Sequence, residues 1–195
     1  MIPLTGEVKE MKFVKDVVVA TADAEIAAAE KATKMIFENI LKVYENGKDI
    51  EARENMLEAS YLAGIAFTRA YVGYVHAIAH NFGGMYGTPH GLANAVILPY
   101  VLEAFGETAY KPLAKLADVA GLETAGMNEA QKANLFIAKI KELNKLLNIP
   151  EHLDVQEKDI ETIAKRANKE GNPLYPVPKI MNAADCEAVI RKLMK

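Results

Sequence analysis

The chain has 195 residues, of which 51% are hydrophobic and 25% are charged, and its 23 basic and 26 acidic residues leave a net charge of -3. This size and composition are typical of one globular domain that needs neither disulfides nor a structural metal to fold. The single cysteine, Cys186, excludes an intrachain disulfide and a cysteine-rich zinc or iron–sulfur site. The slight acidity gives no electrostatic reason to expect nucleic acid or an anionic membrane as a partner.

The sequence shows no sign of a membrane span or a targeting segment. No stretch approaches the roughly 18 uninterrupted apolar residues of a membrane-spanning helix. The N-terminus, Met1 to Glu7, lacks the basic start and the apolar stretch of a secretory signal. We therefore expect a cytoplasmic protein that binds neither nucleic acid nor membrane.

The first predicted element is a short β-branched stretch from Lys12 to Val19, which is typical of a strand or an extended arm. A lone strand has no sheet to join in this chain, so we expect it to pack along a helix surface or to pair with a second copy. Residues 1–22 are therefore assigned to an N-terminal arm, and residues 23–195 to one helical domain.

Two long periodic segments follow the arm. From Asp23 to Tyr44 apolar residues recur at spacings of three and four, and Gly47 follows as a C-terminal stop. The second segment starts near Asp49, ends at Gly83-Gly84 and is predicted to break once near Gly73. Both segments are predicted to be helical.

A loop rich in Gly and Pro, Met85 to Pro89, precedes the segment Gly91 to Phe105, which is apolar nearly all round, as in a helix buried on several sides. Pro99 is predicted to kink or divide this helix. Further helices are predicted over Tyr110–Ala120, Asn128–Leu147, Gln156–Lys169 and Asn182–Met194. Asn182 is the predicted N-cap of the last helix, with Asp185 in its first turn. The expected fold class is all-α, a multi-helix bundle.

Three of the four histidines, His76, His80 and His90, fall within fifteen residues. In a helix the first two lie one turn apart on the same face, and the glycine-rich turn after them can bring His90 beside them. Neutral imidazoles on a rigid helix suit Fe(II), Zn(II) or similar ions. Alternatively, these histidines form hydrogen bonds inside a helical core, since the pair lacks the glutamate of the metalloprotease motif H-E-x-x-H. Spacing alone leaves both interpretations open.

Other side chains have simpler interpretations. The four aromatic residues that could line a pocket are expected in the core, because they recur at helical spacing: Phe67, Tyr71, Tyr74 and Tyr86. A group of charges near the C-terminus is interpreted as a solvated helix face: Lys165, Arg166, Lys169 and Glu170. Cys186 is expected to be packed rather than reactive.

The run from Gly73 to Pro99, GYVHAIAHNFGGMYGTPHGLANAVILP, resembles the signature of the iron-containing alcohol dehydrogenases. The similarity continues upstream through Ala52–Phe67 and downstream through Asn172–Pro178, and it covers about residues 25–195. The resemblance implies that almost the whole chain corresponds to the C-terminal helical domain of that family.

By this resemblance His76 and His90 match two metal ligands, and His80 matches a histidine near the nicotinamide and the substrate, where it assists proton movement or orients the substrate. In family members an Asp and three His hold Fe(II), or Zn(II) in some, and the metal polarises the alcohol oxygen while hydride passes to NAD(P). The resemblance therefore implies an NAD(P)-dependent oxidoreductase of small alcohols or aldehydes. It assigns no cofactor-binding residue in this chain.

The chain departs from the family pattern in two ways. Members begin with a nucleotide-binding α/β domain that carries a glycine-rich turn, whereas only 22 residues precede Asp23 here. Their other two metal ligands lie on a D-x-x-x-H stretch, yet no histidine precedes His76, and Asp16 and Asp23 are the carboxylates in that neighbourhood. Such a half-site is expected to bind metal weakly unless a second chain completes it.

Two main hypotheses about function follow, and a simple metal-binding protein is a third possibility. The first is a truncated or naturally short dehydrogenase domain with little or no activity alone, because hydride transfer needs a held nicotinamide. The second is a non-catalytic helical module that assembles with itself or with a separate nucleotide-binding subunit. In either case we expect a homo-oligomer.

Overall fold

The computed structural model describes the backbone of residues 7–195 and the side chains of residues 23–195 apart from Arg69. All regular secondary structure in this part of the chain is helical, which confirms the predicted all-α class. The helices are α1 (Glu7–Glu45), α2 (Ile50–Ala70), α3 (Tyr74–Tyr86), α4 (His90–Phe105), α5 (Tyr110–Val119), α6 (Glu129–Leu146), α7 (Glu157–Gly171) and α8 (Ala183–Lys192), with a 3-10 turn at Gly106–Ala109. None of the described helices is long and apolar enough to span a membrane.

The strand or extended arm predicted over Lys12–Val19 is wrong for the described backbone, since these residues lie inside α1. β-branched residues cost a helix only about 0.5 kcal/mol each relative to alanine. A continued helix also satisfies backbone groups that a lone strand would leave unpaired. Residues 1–6 of the predicted arm lie outside the described residues.

The central helices break at the position predicted near Gly73 but are not divided at Pro99. The break predicted near Gly73 is present, since α2 ends at Ala70 and α3 starts at Tyr74. Of the kink or division predicted at Pro99, the division is absent, because Pro99 lies inside the continuous helix α4. A proline cannot donate to the carbonyl four residues earlier, which is that of Ala95. The side-chain amide of Asn144 in α6 donates to this carbonyl instead (2.8 Å), so the helix continues through the proline.

Helix α3 is anchored in the core by Tyr74, whose side chain is fully buried. Its hydroxyl lies 2.7 Å from Asn172 Oδ1 and 3.1 Å from the carbonyl oxygen of Met181, and it accepts the backbone N–H of Met181 (2.9 Å). A Cβ at Gly171 would lie 2.5 Å from the Tyr74 ring, so only glycine fits there without a shift. These contacts join α3 to the end of α7 and to the segment before α8.

The C-terminal helix begins and packs as the sequence predicts. Asn182 Oδ1 accepts the backbone N–H of Asp185, and the Asp185 carboxylate accepts the N–H of Asn182, which completes a capping box. Cys186 is fully buried in α8, and burial raises the pKa of its thiol to about 11. The thiol is therefore neutral near pH 7, in agreement with a packing role.

Candidate functional site

The histidine cluster lies at the turn between α3 and α4. Helix α3 ends at Tyr86 and is capped by Gly87, which adopts a left-handed conformation (φ 66°) and donates its N–H to the carbonyl of Gly83 (3.1 Å). A left-handed residue at this position is a usual helix stop, and glycine adopts it without steric cost. The chain then reverses through Thr88 and Pro89 into α4, whose first residue is His90. The reversal returns His90 to the face of α3.

The structure brings the three clustered histidines together, as their spacing predicts. The ring centroids of His76 and His90 are 5.2 Å apart, those of His80 and His90 are 5.5 Å apart, and those of His76 and His80 are 5.9 Å apart. Two imidazoles bonded to one tetrahedral ion at about 2.1 Å have centroids about 5 Å apart. The spacing of His76 and His90 is therefore compatible with a shared ion.

The cluster is not a complete ligand set. Among the described residues, no three side chains of the types His, Cys, Asp and Glu are placed to hold a metal ion. Neighbouring side chains also contact ring nitrogens of the cluster: Nε2 of His90 lies 3.1 Å from the amide nitrogen of Asn94, and Nδ1 of His80 lies 2.7 Å from Oε1 of Glu170. Nε2 of His90 must give up its contact with Asn94 if it is to coordinate a metal ion.

Electrostatics favour the neutral form of His76. Burial lowers the pKa of this imidazole, the neighbouring His90 and His80 lower it further, and Glu170 opposes them. A metal ion binds the lone pair of a deprotonated ring nitrogen, so protons and metal compete for the same site. A lowered pKa makes His76 available as a ligand near neutral pH.

Glu170 is the residue of this site that the sequence interpretation missed. The sequence pattern predicts a solvated charge, but the Glu170 carboxylate at the end of α7 contacts His80 of α3 and accepts a hydrogen bond from the hydroxyl of Tyr175 (3.0 Å). Ninety residues separate Glu170 from His80. No local spacing rule detects such a pair, since it depends on how α7 packs against α3.

The remaining candidates lie elsewhere. His152 is in the segment between α6 and α7, outside the cluster. Asp23 is an exposed residue of α1, and the side chain of Asp16 lies outside the described residues.

Comparison with known protein families identifies the class of protein to which this helical fold and histidine cluster belong. A family model described as the Fe-containing alcohol dehydrogenase family, C-terminal, matches residues 17–194. The chain therefore belongs to the iron-containing alcohol dehydrogenase family and corresponds to its C-terminal domain.

Particular relatives agree with this assignment. The 1,3-propanediol dehydrogenase of Klebsiella pneumoniae is 38% identical over 169 residues, which are 85% of this chain and 43% of the relative. Alcohol dehydrogenase 4 of Saccharomyces cerevisiae (strain ATCC 204508 / S288c) is 41% identical over 146 residues, or 72% of this chain and 37% of the relative. The chain thus spans less than half the length of these curated relatives.

Solved structures show the same relation. A crystal structure of 1,3-propanediol oxidoreductase matches with a TM-score of 0.82 and 37% identity, over 86% of this chain and 44% of that one. The alcohol dehydrogenase from Oenococcus oeni matches with a TM-score of 0.81 and 30% identity, over 89% of this chain and 48% of that one.

Proposed function

We propose that residues 23–195 form the metal-holding part of an NAD(P)-dependent oxidoreductase of small alcohols or aldehydes. The convergence of His76, His80 and His90 at the turn between α3 and α4 carries this proposal. The names of similar proteins support the substrate class and the cofactor, since they include an NAD-dependent methanol dehydrogenase of Bacillus methanolicus and an NADPH-dependent butanol dehydrogenase of Clostridium saccharobutylicum.

The donor set fits part of a metal site. We assign His76 and His90 as two ligands, because their rings have the spacing of a shared ion and burial keeps His76 in its ligand form. A bound Fe(II) or Zn(II) would supply a Lewis acid that polarises the alcohol oxygen. The further metal ligands are then supplied from outside residues 23–195, since no third described side chain of the types His, Cys, Asp or Glu completes the set.

His80 is assigned a role in proton transfer. Oxidation of an alcohol removes a hydride from carbon, which the oxidised nicotinamide accepts, and a proton from the hydroxyl oxygen. The His80 ring lies beside both proposed ligands, so its imidazole can accept that proton and return it in the reverse direction.

On its own the chain is expected to show no turnover. Hydride transfer requires the nicotinamide to be held against the substrate, and a chain without that binding surface loses the advantage of proximity. The test mixes the purified chain with Fe(II) or Zn(II), NADH or NADPH and short-chain aldehydes, and follows the oxidation of the cofactor. The expected rate equals that of a sample without protein, whereas robust turnover would contradict the proposed inactivity.

A second candidate function, a non-catalytic module that assembles with itself, is favoured by the outer face of α2. This helix packs along α1, and its opposite face carries Leu57 and Tyr61, which are 74% and 69% exposed. Large apolar side chains one turn apart on an open helix face are typical of an interaction surface. In this alternative a second copy of the chain covers the outer face of α2, and a separate nucleotide-binding subunit is the competing partner.

Assembly through α2 predicts that Leu57→Glu combined with Tyr61→Glu converts an oligomer to a monomer, because two buried carboxylates would lose their hydration. Light scattering measures the mass of each variant. Asn134→Glu with Ala138→Glu is the matched control, since it adds the same charges at the same spacing on exposed positions of α6. A wild-type chain that stays monomeric at high concentration would rule out self-assembly.

A further inference from the structure

Glu170 and His80 form a specific contact at the point where the last turn of α7 meets α3. Oε1 of Glu170 lies 2.7 Å from Nδ1 of His80, and the hydroxyl of Tyr175 donates to the same oxygen (3.0 Å). The Tyr175 ring in turn packs beside Tyr71, with centroids 6.5 Å apart. The carboxylate therefore has two partners from different segments, unlike a surface ion pair between neighbouring turns.

The chemistry of this contact decides where His80 carries its proton. An ionised carboxylate only accepts hydrogen bonds, so Nδ1 of His80 must be the donor. When the ring is neutral, the lone pair then lies on Nε2. A hydrogen bond to a charged acceptor is about twice as strong as one between neutral groups, so this preference survives partial exposure of the pair.

We propose that Glu170 is a positioning residue that holds His80 in the Nδ1–H tautomer and thereby makes Nε2 its proton-accepting nitrogen. The consequence for catalysis rests on the proposed function, whereas the tautomer itself does not. Without the carboxylate, His80 keeps its place on α3 but loses both the fixed ring orientation and the defined basic nitrogen.

The experiment records nitrogen NMR spectra of the imidazole rings in the purified chain, at a pH high enough that the spectra no longer change with pH. The signals of His80 are assigned by their loss in His80→Gln. In the wild type the Nδ1–H form is expected in at least a tenfold excess over the Nε2–H form. Glu170→Ala is expected to reduce this excess at least tenfold, since no acceptor then faces Nδ1.

Two variants are expected to retain the wild-type ratio. Tyr175→Phe removes the hydroxyl and keeps the carboxylate. Glu161→Ala removes another glutamate of α7, which pairs with Lys165 and not with a histidine. A merely structural role of Glu170 would not move the tautomer ratio of His80.

Several results would overturn the inference. A wild-type chain with the proton of His80 on Nε2 would do so by itself, without any variant. An unchanged ratio in a folded Glu170→Ala variant would do the same. Metal binding is measured separately on the same samples. A wild-type chain that binds no metal but keeps the Nδ1–H tautomer would reject the proposed metal site and leave the role of Glu170 intact.

Discussion

Replacement of both His76 and His90 by alanine is expected to lower the affinity of the chain for Fe(II) or Zn(II) by at least about 100-fold. Even the loss of a group that merely supports a metal ligand costs about 10–100-fold in affinity. Loss of two ligands must cost more, because no other described side chains complete a group of three around an ion. The measurement is the metal content after anaerobic incubation with the ion and dialysis.

Single-residue variants show which imidazoles account for this loss of metal affinity. His152→Ala is the matched control, since it removes a histidine from the segment between α6 and α7 and is expected to retain the metal. His80→Gln should also retain it, because His80 is assigned to proton transfer. Retention of the same amount of metal by the wild type and by the double variant would reject His76 and His90 as ligands.

Most of the fold is predictable from hydrophobic periodicity, and the structure shows why. Helices α4 to α8 begin and end within a few residues of the predicted positions, because caps such as Asn182 act locally. Helix α3 ends at Tyr86 and not at the predicted Gly83-Gly84, since the left-handed residue that stops it is Gly87. The break near Gly73 is a signal of the same kind. The grouping of His76, His80 and His90 is predictable for the same reason, since it needs only one helix and one tight turn.

Features that depend on tertiary packing could not be predicted. Pro99 does not divide α4, because Asn144 of another helix satisfies the carbonyl that the proline leaves without a donor. Glu170 reaches His80 only because α7 packs against α3. Residues 12–19 carry a β-branched pattern, yet their backbone continues α1. In each case a partner distant in sequence, or the continuity of a long element, outweighs the local preference.

Aromatic residues show the same limit of periodicity. Helical spacing predicts four of them in the core, and Tyr74 is fully buried there. Phe67 and Tyr71, however, are 53% and 61% exposed. Both lie at the end of α2. Their helical spacing predicts a common face of this helix but does not predict which residues cover that face. A pattern identifies the amphipathic side of a helix, while its burial depends on the neighbours that the helix finds.

Substitution of Tyr74 by alanine is expected to destabilise the chain by about 3–5 kcal/mol, the usual cost of removing a large buried aromatic side chain. Tyr74→Phe keeps the ring and is expected to cost about 1–3 kcal/mol, because the backbone N–H of Met181 loses its acceptor in a buried position. Denaturant unfolding of each variant measures both changes. Tyr61→Phe, at an exposed position of α2, is the control and should change stability by less than about 0.5 kcal/mol.

The Tyr74→Phe variant also tests how the histidine cluster is held in place. Tyr74 is the first residue of α3 and lies two residues before His76, so the hydrogen bonds of its hydroxyl fix the end of the helix that carries the histidines. If that anchor matters, Tyr74→Phe lowers metal affinity as well as stability, although its ring remains in the core. A Tyr74→Phe variant as stable as the wild type would show that Met181 finds another partner, and the anchoring of α3 would then rest on ring packing alone.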